Sequence, residues 1–282
     1  MDEFKKNLTH SVGMRIFIFL ISFFVCSLIG SVIVALLAIG NHIDRIKLGQ
    51  GISSALMFIV PPIILYAITR RPQPMQQLGF RKPVQWWMLL VGFAVMFLSL
   101  PLTNLLTDWN ERVDLGPWVD LIEQSAADLT QRMMEVDSIG GLLVNLLVLA
   151  LIPAIGEELT FRGVLQQALT KGCKNVHVAV WLSAFIFSFI HFQFYGFLPR
   201  MFLGLLLGYL FYYSGSIWTS ILMHFANNGT AVVVSYLDYN GIVNVDWEHF
   251  GSTSNVIMLV VSLLLTVGSI VLVSKKQYKY GR

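Results

Sequence analysis

Apolar residues in this chain do not alternate with polar ones. They gather in long runs separated by short polar connections. Eight runs stand out, at residues 16–39, 52–69, 86–106, 139–169, 176–194, 198–213, 217–236 and 256–273. A helix needs about 20 mostly apolar residues to cross the hydrocarbon layer of a bilayer. The pattern therefore predicts an all-α fold, a polytopic membrane helix bundle with about eight transmembrane helices, and no run needs a strand to explain it. The first run is too long for a signal-peptide core and lacks a small-residue cleavage site, so it reads as a retained signal anchor.

Composition removes the soluble alternatives. Of 282 residues, 56% are hydrophobic and 12% charged, against ~25% charged in an ordinary soluble domain. The net charge of +3 conceals a strong asymmetry. With the N-terminus inside, the inner segments hold 13 of the 19 basic residues, among them Lys5, Lys6, Arg15, Arg70, Arg71, Arg81, Lys82, Lys171 and Lys174. The outer connections hold 12 of the 16 acidic residues, eight of them between Asp108 and Asp137. Lysine and arginine collect in cytoplasmic loops, so both termini are expected in the cytoplasm, and no basic face is left for nucleic acid. The chain divides into N-terminal helices with an acidic outer loop (1–135), a polar-bearing core (136–240) and a last helix with a basic tail (241–282). Within the outer connection, 118–122 is amphipathic enough for a short interfacial helix, and a plain acidic loop fits equally. Residues 71–80 read as a cytoplasmic turn. Cys26 and Cys173 have no CxxC spacing and suggest neither disulfide nor metal.

Candidate chemistry comes from residues that do not belong in lipid. A charged side chain at the middle of a membrane helix costs roughly 2.5–3.5 kcal/mol on insertion scales, which makes each one a functional candidate. The fourth run contains Glu157, Glu158 and Arg162 shortly after Pro153 and Gly156. On a helix Glu158 and Arg162 share a face, whereas Glu157 is turned about 100° away. A purely structural clamp explains this segment as well as catalysis does. The fifth run adds Phe187 and His191, and the seventh adds His224 and Asn228, each pair four residues apart. Taken singly, each is also explained by an interhelical hydrogen bond. His10, His42, His177 and His249 fall in terminal or connecting segments and need no special role.

Glu-Glu-x-x-x-Arg, then Phe-x-x-x-His, then His-x-x-x-Asn, in successive spans, resembles the CPBP family of CAAX proteases and bacteriocin-processing enzymes, also called Abi, which includes the type II CAAX prenyl endopeptidases. The likeness covers roughly 140–235 and extends to Gly204, Gly208, Tyr209 and the Ser216-Ile217-Trp218 run. It implies a glutamic-type, metal-independent intramembrane endopeptidase of a cell membrane, bacterial by expectation. In that family pattern Glu157 and His191 activate water, His224 and Asn228 stabilise the oxyanion, and Glu158 with Arg162 organises the site. Its partners would be the lipid bilayer and a protein or peptide substrate, possibly lipidated or membrane-anchored, in a cleft between the fourth, fifth and seventh spans. Amide hydrolysis does need a base, a proton donor and oxyanion donors, which these six residues can supply.

Three alternatives stay open. Glu157, His191 and His224 could ligate zinc with a water in the fourth position, although His-Glu-x-x-His is absent. The fold could serve as a non-enzymatic scaffold or bacteriocin-immunity protein. A proton-relaying transporter is the third, without an inverted repeat to support it.

Overall fold

The computed structural model describes residues 11–69, 73–80, 84–245 and 250–280. Asp2, Glu3, Lys5, Lys6, His10, Arg70, Arg71, Pro72, Arg81, Lys82, Asp246, Glu248, His249 and Arg282 lie outside the described residues, as do the side chains of Lys276 and Lys279. Every regular element among the described residues is helical. We number them α1 (Val12–Leu37), α2 (Ile43–Thr69), α3 (Trp86–Glu111), α4 (Pro117–Met134), α5 (Ile139–Cys173), α6 (Val176–Phe189), α7 (Phe197–Ser214), α8 (Ile217–Tyr239) and α9 (Val256–Tyr280), with a short coiled turn at Gln76–Phe80 kinked at Gly79, φ +103°. Five helices are long and apolar enough to cross a membrane: α1, α2, α3, α5 and, over Val256–Lys275, α9. The other three apolar runs of the sequence form α6, α7 and α8.

Two boundaries differ from expectation. Helix α2 begins at Ile43, not near residue 52, because Asp44 occupies its first turn, where the helix dipole favours a negative charge. Lys47, expected in an outer loop, is consequently a buried residue of α2. Gly49 and Gly51 interrupt the apolar run but belong to the helix: a Cβ on Gly49 would lie 3.3 Å from Val34 Cα on α1, and one on Gly51 3.5 Å from Val148 on α5. Small residues of this kind let membrane helices approach closely. The second difference is the acidic connection, which is mostly helix. Gly116 at φ +87° followed by Pro117 starts α4, a pairing suited to a helix beginning. Exposed Trp118, Leu121 and Ile122 form its apolar outer face.

Prolines shape the helices that surround the polar core. Pro62 has no N–H, so Phe58 O loses its helical partner; the Thr160 hydroxyl of α5 donates to it instead, at 2.8 Å. Pro101 likewise follows the break in α3 at Ser99, and Ser262 of α9 donates to Leu98 O beside it. In α5, Pro153 follows a π-helical stretch at Leu146–Leu151, and a second occupies Leu159–Gln166. Single π turns of this type often mark functional positions. They bracket Glu157 and Glu158.

A close crossing joins α5, α6 and α7. A Cβ on Gly204 would sit 3.1 Å from that of Ala184, and one on Gly208 3.0 Å from Val180 Cγ1. This spacing brings the α7 backbone within reach of α5, where Arg162 donates to Gly204 O at 2.9 Å and Gln166 to Gly208 O at 3.0 Å. Away from this core, α1 and α9 present Phe24, Leu28, Val32, Leu264 and Leu272 outward, as helices facing lipid do.

Candidate active site

Glu157 and Glu158 leave α5 in different directions, and that divergence organises the site. Glu158 is fully buried and accepts from Arg162 Nη1 at 2.7 Å, the i,i+4 pair that helical spacing predicts. The same Oε1 is 2.8 Å from His224 Nδ1 on α8. A carboxylate can only accept, so that nitrogen carries a proton. Arg162, 1% exposed, packs its guanidinium 5.2 Å over the Phe187 ring. Phe187 in turn stands edge-on to Phe161 at 5.0 Å and to His224 at 6.0 Å. One continuous cluster thus ties α5, α6, α7 and α8 together, with each charge meeting an opposite charge or a carbonyl, as burial in low dielectric demands.

Glu157 points to the other side. It lines a cavity of about 330 Å³ together with His191, Ser53, Ser54, Thr130 and Met133. His191 stands just beyond the end of α6, where its Nδ1 lies 2.7 Å from Phe187 O. Because a carbonyl only accepts, the neutral ring keeps its proton on Nδ1 and leaves the Nε2 lone pair for chemistry. His224 links the two halves, its Nε2 being 3.7 Å from Glu157 Oε2, beyond hydrogen-bond length.

The cleft expected between the fourth, fifth and seventh spans takes a different form. The cavity that holds Glu157 and His191 is walled by α2 and α4 in addition to α5 and the end of α6, and no α8 residue lines it. Helix α4 is the segment for which the sequence pattern fits a loop and a helix equally. Asn228 lies one turn beyond His224 on α8, half-buried, and accepts from Asn227 Nδ2 at 3.1 Å. The structure therefore joins Glu158, Arg162 and His224 by direct contacts, sets Glu157 and His191 on one cavity, and gives Asn228 no contact with either group among those described.

Residues that the sequence did not single out hold the segment carrying His191. Asn110 at the end of α3 donates to Phe194 O and accepts from Leu198 N, both at 2.7 Å. From α4, Glu123 accepts from Tyr195 N at 3.1 Å and Asp120 from the Tyr195 hydroxyl at 2.5 Å. Arg200 grips Gln193 through its backbone and side-chain oxygens at 3.1 and 2.9 Å and lies within electrostatic reach of Glu157 and His191. Only the Arg200 charge in a predicted span offered a sequence signal; the others look like ordinary polar loop residues. His177, assigned to solvent, pairs with the Tyr209 hydroxyl at 3.1 Å.

No group of three His, Cys, Asp or Glu side chains among the described residues is arranged to hold a metal ion. Both histidines do present Nε2 with Nδ1 anchored, as a ligating imidazole would. Glu157, His191 and His224 are nevertheless not gathered as one ligand set.

Residues 139–230 match the family model described as Rce1-like, type II CAAX prenyl endopeptidase Rce1-like. The match runs from the start of α5 into α8 and includes Glu157, Glu158, Arg162, His191, His224 and Asn228. It is the family that the three motifs resemble. No curated protein and no solved structure matches the chain.

Proposed function

We propose that this chain is a membrane-embedded endopeptidase that hydrolyses peptide bonds of a protein or peptide held at the bilayer, with water as nucleophile. The family match supports hydrolysis of the CAAX-protease type. The observation that carries the mechanism is the pairing of Glu157 with His191 on one cavity, behind which His224 is anchored by the buried Glu158–Arg162 pair. A water between the Glu157 carboxylate and the His191 Nε2 lone pair has two acceptors for its protons. As the hydroxide attacks, the proton it gives up is available for the departing amine, a general base followed by a general acid. His224, as the imidazolium with Nδ1–H held by Glu158, supplies Nε2–H as the donor for the developing oxyanion, with Asn228 on the same helix face as the second donor after a shift of its side chain toward the substrate.

In the bilayer the chain makes eight crossings with both termini cytoplasmic. Charge asymmetry supports this reading: Arg15, Lys171 and Lys174 fall at one end of the bundle and acidic α4 at the other. Helix α4 then lies along the outer interface above the cavity.

Cleavage of a membrane-tethered reporter peptide by protein reconstituted in vesicles tests the activity. Glu157→Gln and His191→Ala should each slow turnover by about 10²–10⁴-fold, the usual contribution of a positioned acid or base, with insertion unchanged. Retained turnover in both variants overturns the water-activating pair. Zinc is the alternative for the same residues; stoichiometric zinc in purified protein, with activity lost to a strong chelator, would replace this mechanism with a metal one.

A further inference from the structure

The cavity that holds Glu157 and His191 has a second polar wall, on α2, which the hydrolytic chemistry does not use. Gln50, Ser54 and Phe58 line it at four-residue intervals, so they form one row down the helix. The row descends toward the reacting pair. Phe58 packs on Gly156, the residue before Glu157, where a Cβ would lie 2.8 Å from that of Phe58. Elsewhere in α2 and in the α4 wall, hydroxyls bond back to the preceding turn: Thr69 donates to Leu65 O at 2.7 Å and Thr130 to Ala126 O at 2.9 Å. Ser54 does not. Its Oγ is shielded from solvent and has no hydrogen-bond partner among the described residues. A buried hydroxyl left unpaired is destabilising, and a guest that accepts from it removes the penalty. The Gln50 side-chain amide, one turn along the row, likewise makes no hydrogen bond among the described residues. Ser53, the other α2 serine on the lining, is set against α1, where a Cβ on Gly30 would meet its Oγ at 2.5 Å.

We propose that this row recognises the substrate main chain: Ser54 and Gln50 donate to two peptide carbonyls that lie two residues apart and hold the segment extended along α2. The inference rests on the endopeptidase reading above and names the form of substrate that the cavity takes, a locally unfolded peptide. Spacing supports this occupant. Residues four apart on a helix are separated by about 6 Å along its axis, and carbonyls on one side of an extended strand recur every two residues, about 6.6 Å. Polarity supports it as well. Glu157 and the His191 Nε2 lone pair are acceptors, and the Thr130 hydroxyl hydrogen is committed to Ala126 O. Ser54 and Gln50 therefore bring to the α2 wall the free donors that a peptide carbonyl needs. Contacts of this kind read no side chain, so the wall requires an unfolded segment and not a particular sequence.

Equilibrium binding of the fluorescently labelled reporter peptide to the Glu157→Gln protein in detergent measures recognition without turnover. Added to that protein, Ser54→Ala and Gln50→Ala should each weaken binding by about two- to tenfold, the contribution of one neutral hydrogen bond. Two further readouts exclude a merely structural serine. The unfolding temperature of Ser54→Ala should not fall, because no hydrogen bond within the protein is lost. With Glu157 restored, the same substitution should raise KM and leave kcat, as removal of uniform binding does. A scan of the peptide with ester linkages, whose carbonyls accept weakly, locates the two contacts. One position should lose its sensitivity in Ser54→Ala, and a position two residues away in Gln50→Ala. Unchanged affinity in both variants, ester sensitivity that persists in both, or its loss at the same position in both would overturn the proposal. Cleavage that continues alongside those results leaves the peptidase reading standing without this wall. The paired ester pattern in a protein that never cleaves keeps the wall and removes the peptidase.

Discussion

The two sides of α5 at residues 157 and 158 make opposite use of the same side chain. On the Glu158 side, a carboxylate, a guanidinium and an imidazole satisfy one another with contacts of 2.7 and 2.8 Å, in a space from which solvent is excluded. On the Glu157 side, a carboxylate and an imidazole share a 330 Å³ cavity without a direct contact. Glu158 and Arg162 are buried away from the cavity and engage each other, so their role is to hold geometry, while His224 keeps Nε2 turned toward Glu157. The open side keeps a carboxylate oxygen and a nitrogen lone pair available for reaction. Adjacent identical residues have thereby been divided into a framework and a chemical half, with His224 at the junction.

This contrast can be broken most severely from the framework. Glu158→Ala or Arg162→Ala strands a charge in low dielectric, which destabilises by about 3–5 kcal/mol, and thermal unfolding in detergent should register the loss. The double variant should recover part of it, since no unpaired charge remains. Glu157→Gln should leave the unfolding temperature within the small range of an isosteric exchange, despite slowing turnover by about 10²–10⁴-fold; an equal loss of stability would show that Glu157 also belongs to the framework.

A smaller effect is expected where the halves meet. Asn228→Ala should reduce turnover by about 10²-fold, the lower end for removal of one oxyanion donor, with stability preserved. Steady-state rates on the tethered peptide would measure it, and an unchanged rate would leave His224 as the sole donor. The smallest change is expected at the tether. Tyr195→Phe removes the hydroxyl that binds Asp120 and loosens the segment holding His191 against α4. Turnover should fall a few-fold, and Asp120→Asn, which retains a weaker acceptor, should fall less.

The substitutions also separate local from distant information. Glu158 and Arg162 meet because residues four apart on a helix share a face, so their spacing in the chain is enough to pair them, whereas His191 lies in the turn that ends α6 and reaches Phe187 by its ring contact to the Phe187 carbonyl. The divergence of the two α5 glutamates follows from the same helical geometry. Lys47 is misplaced by the sequence pattern because apolar runs identify lipid-facing length, whereas the start of α2 is set by Asp44 and by glycines that pack against α1 and α5. Helix α4 is ambiguous in sequence because an acidic amphipathic stretch looks alike in a loop and on an interface; its identity as a cavity wall depends on docking. That docking is made by Asn145 donating to Met133 O at 2.8 Å and by Asn240 donating to Val136 O at 3.0 Å, contacts spanning 12 and 104 residues.

By itself the sequence determined the helical, membrane-crossing character of this protein, the order of its three polar motifs and the identity of the residues too costly to leave in lipid unpartnered. These follow from rules that act over one helix: hydrophobic length, a 3.6-residue turn and the penalty on buried charge. The tertiary structure alone decided that His224 rests on Glu158, that Arg162 reaches Gly204 O, and that α2 and α4 enclose Glu157 with His191. Such pairings depend on where the helices cross, and crossing is set by glycines, prolines and freed carbonyls scattered along the whole chain, so no single segment contains the answer.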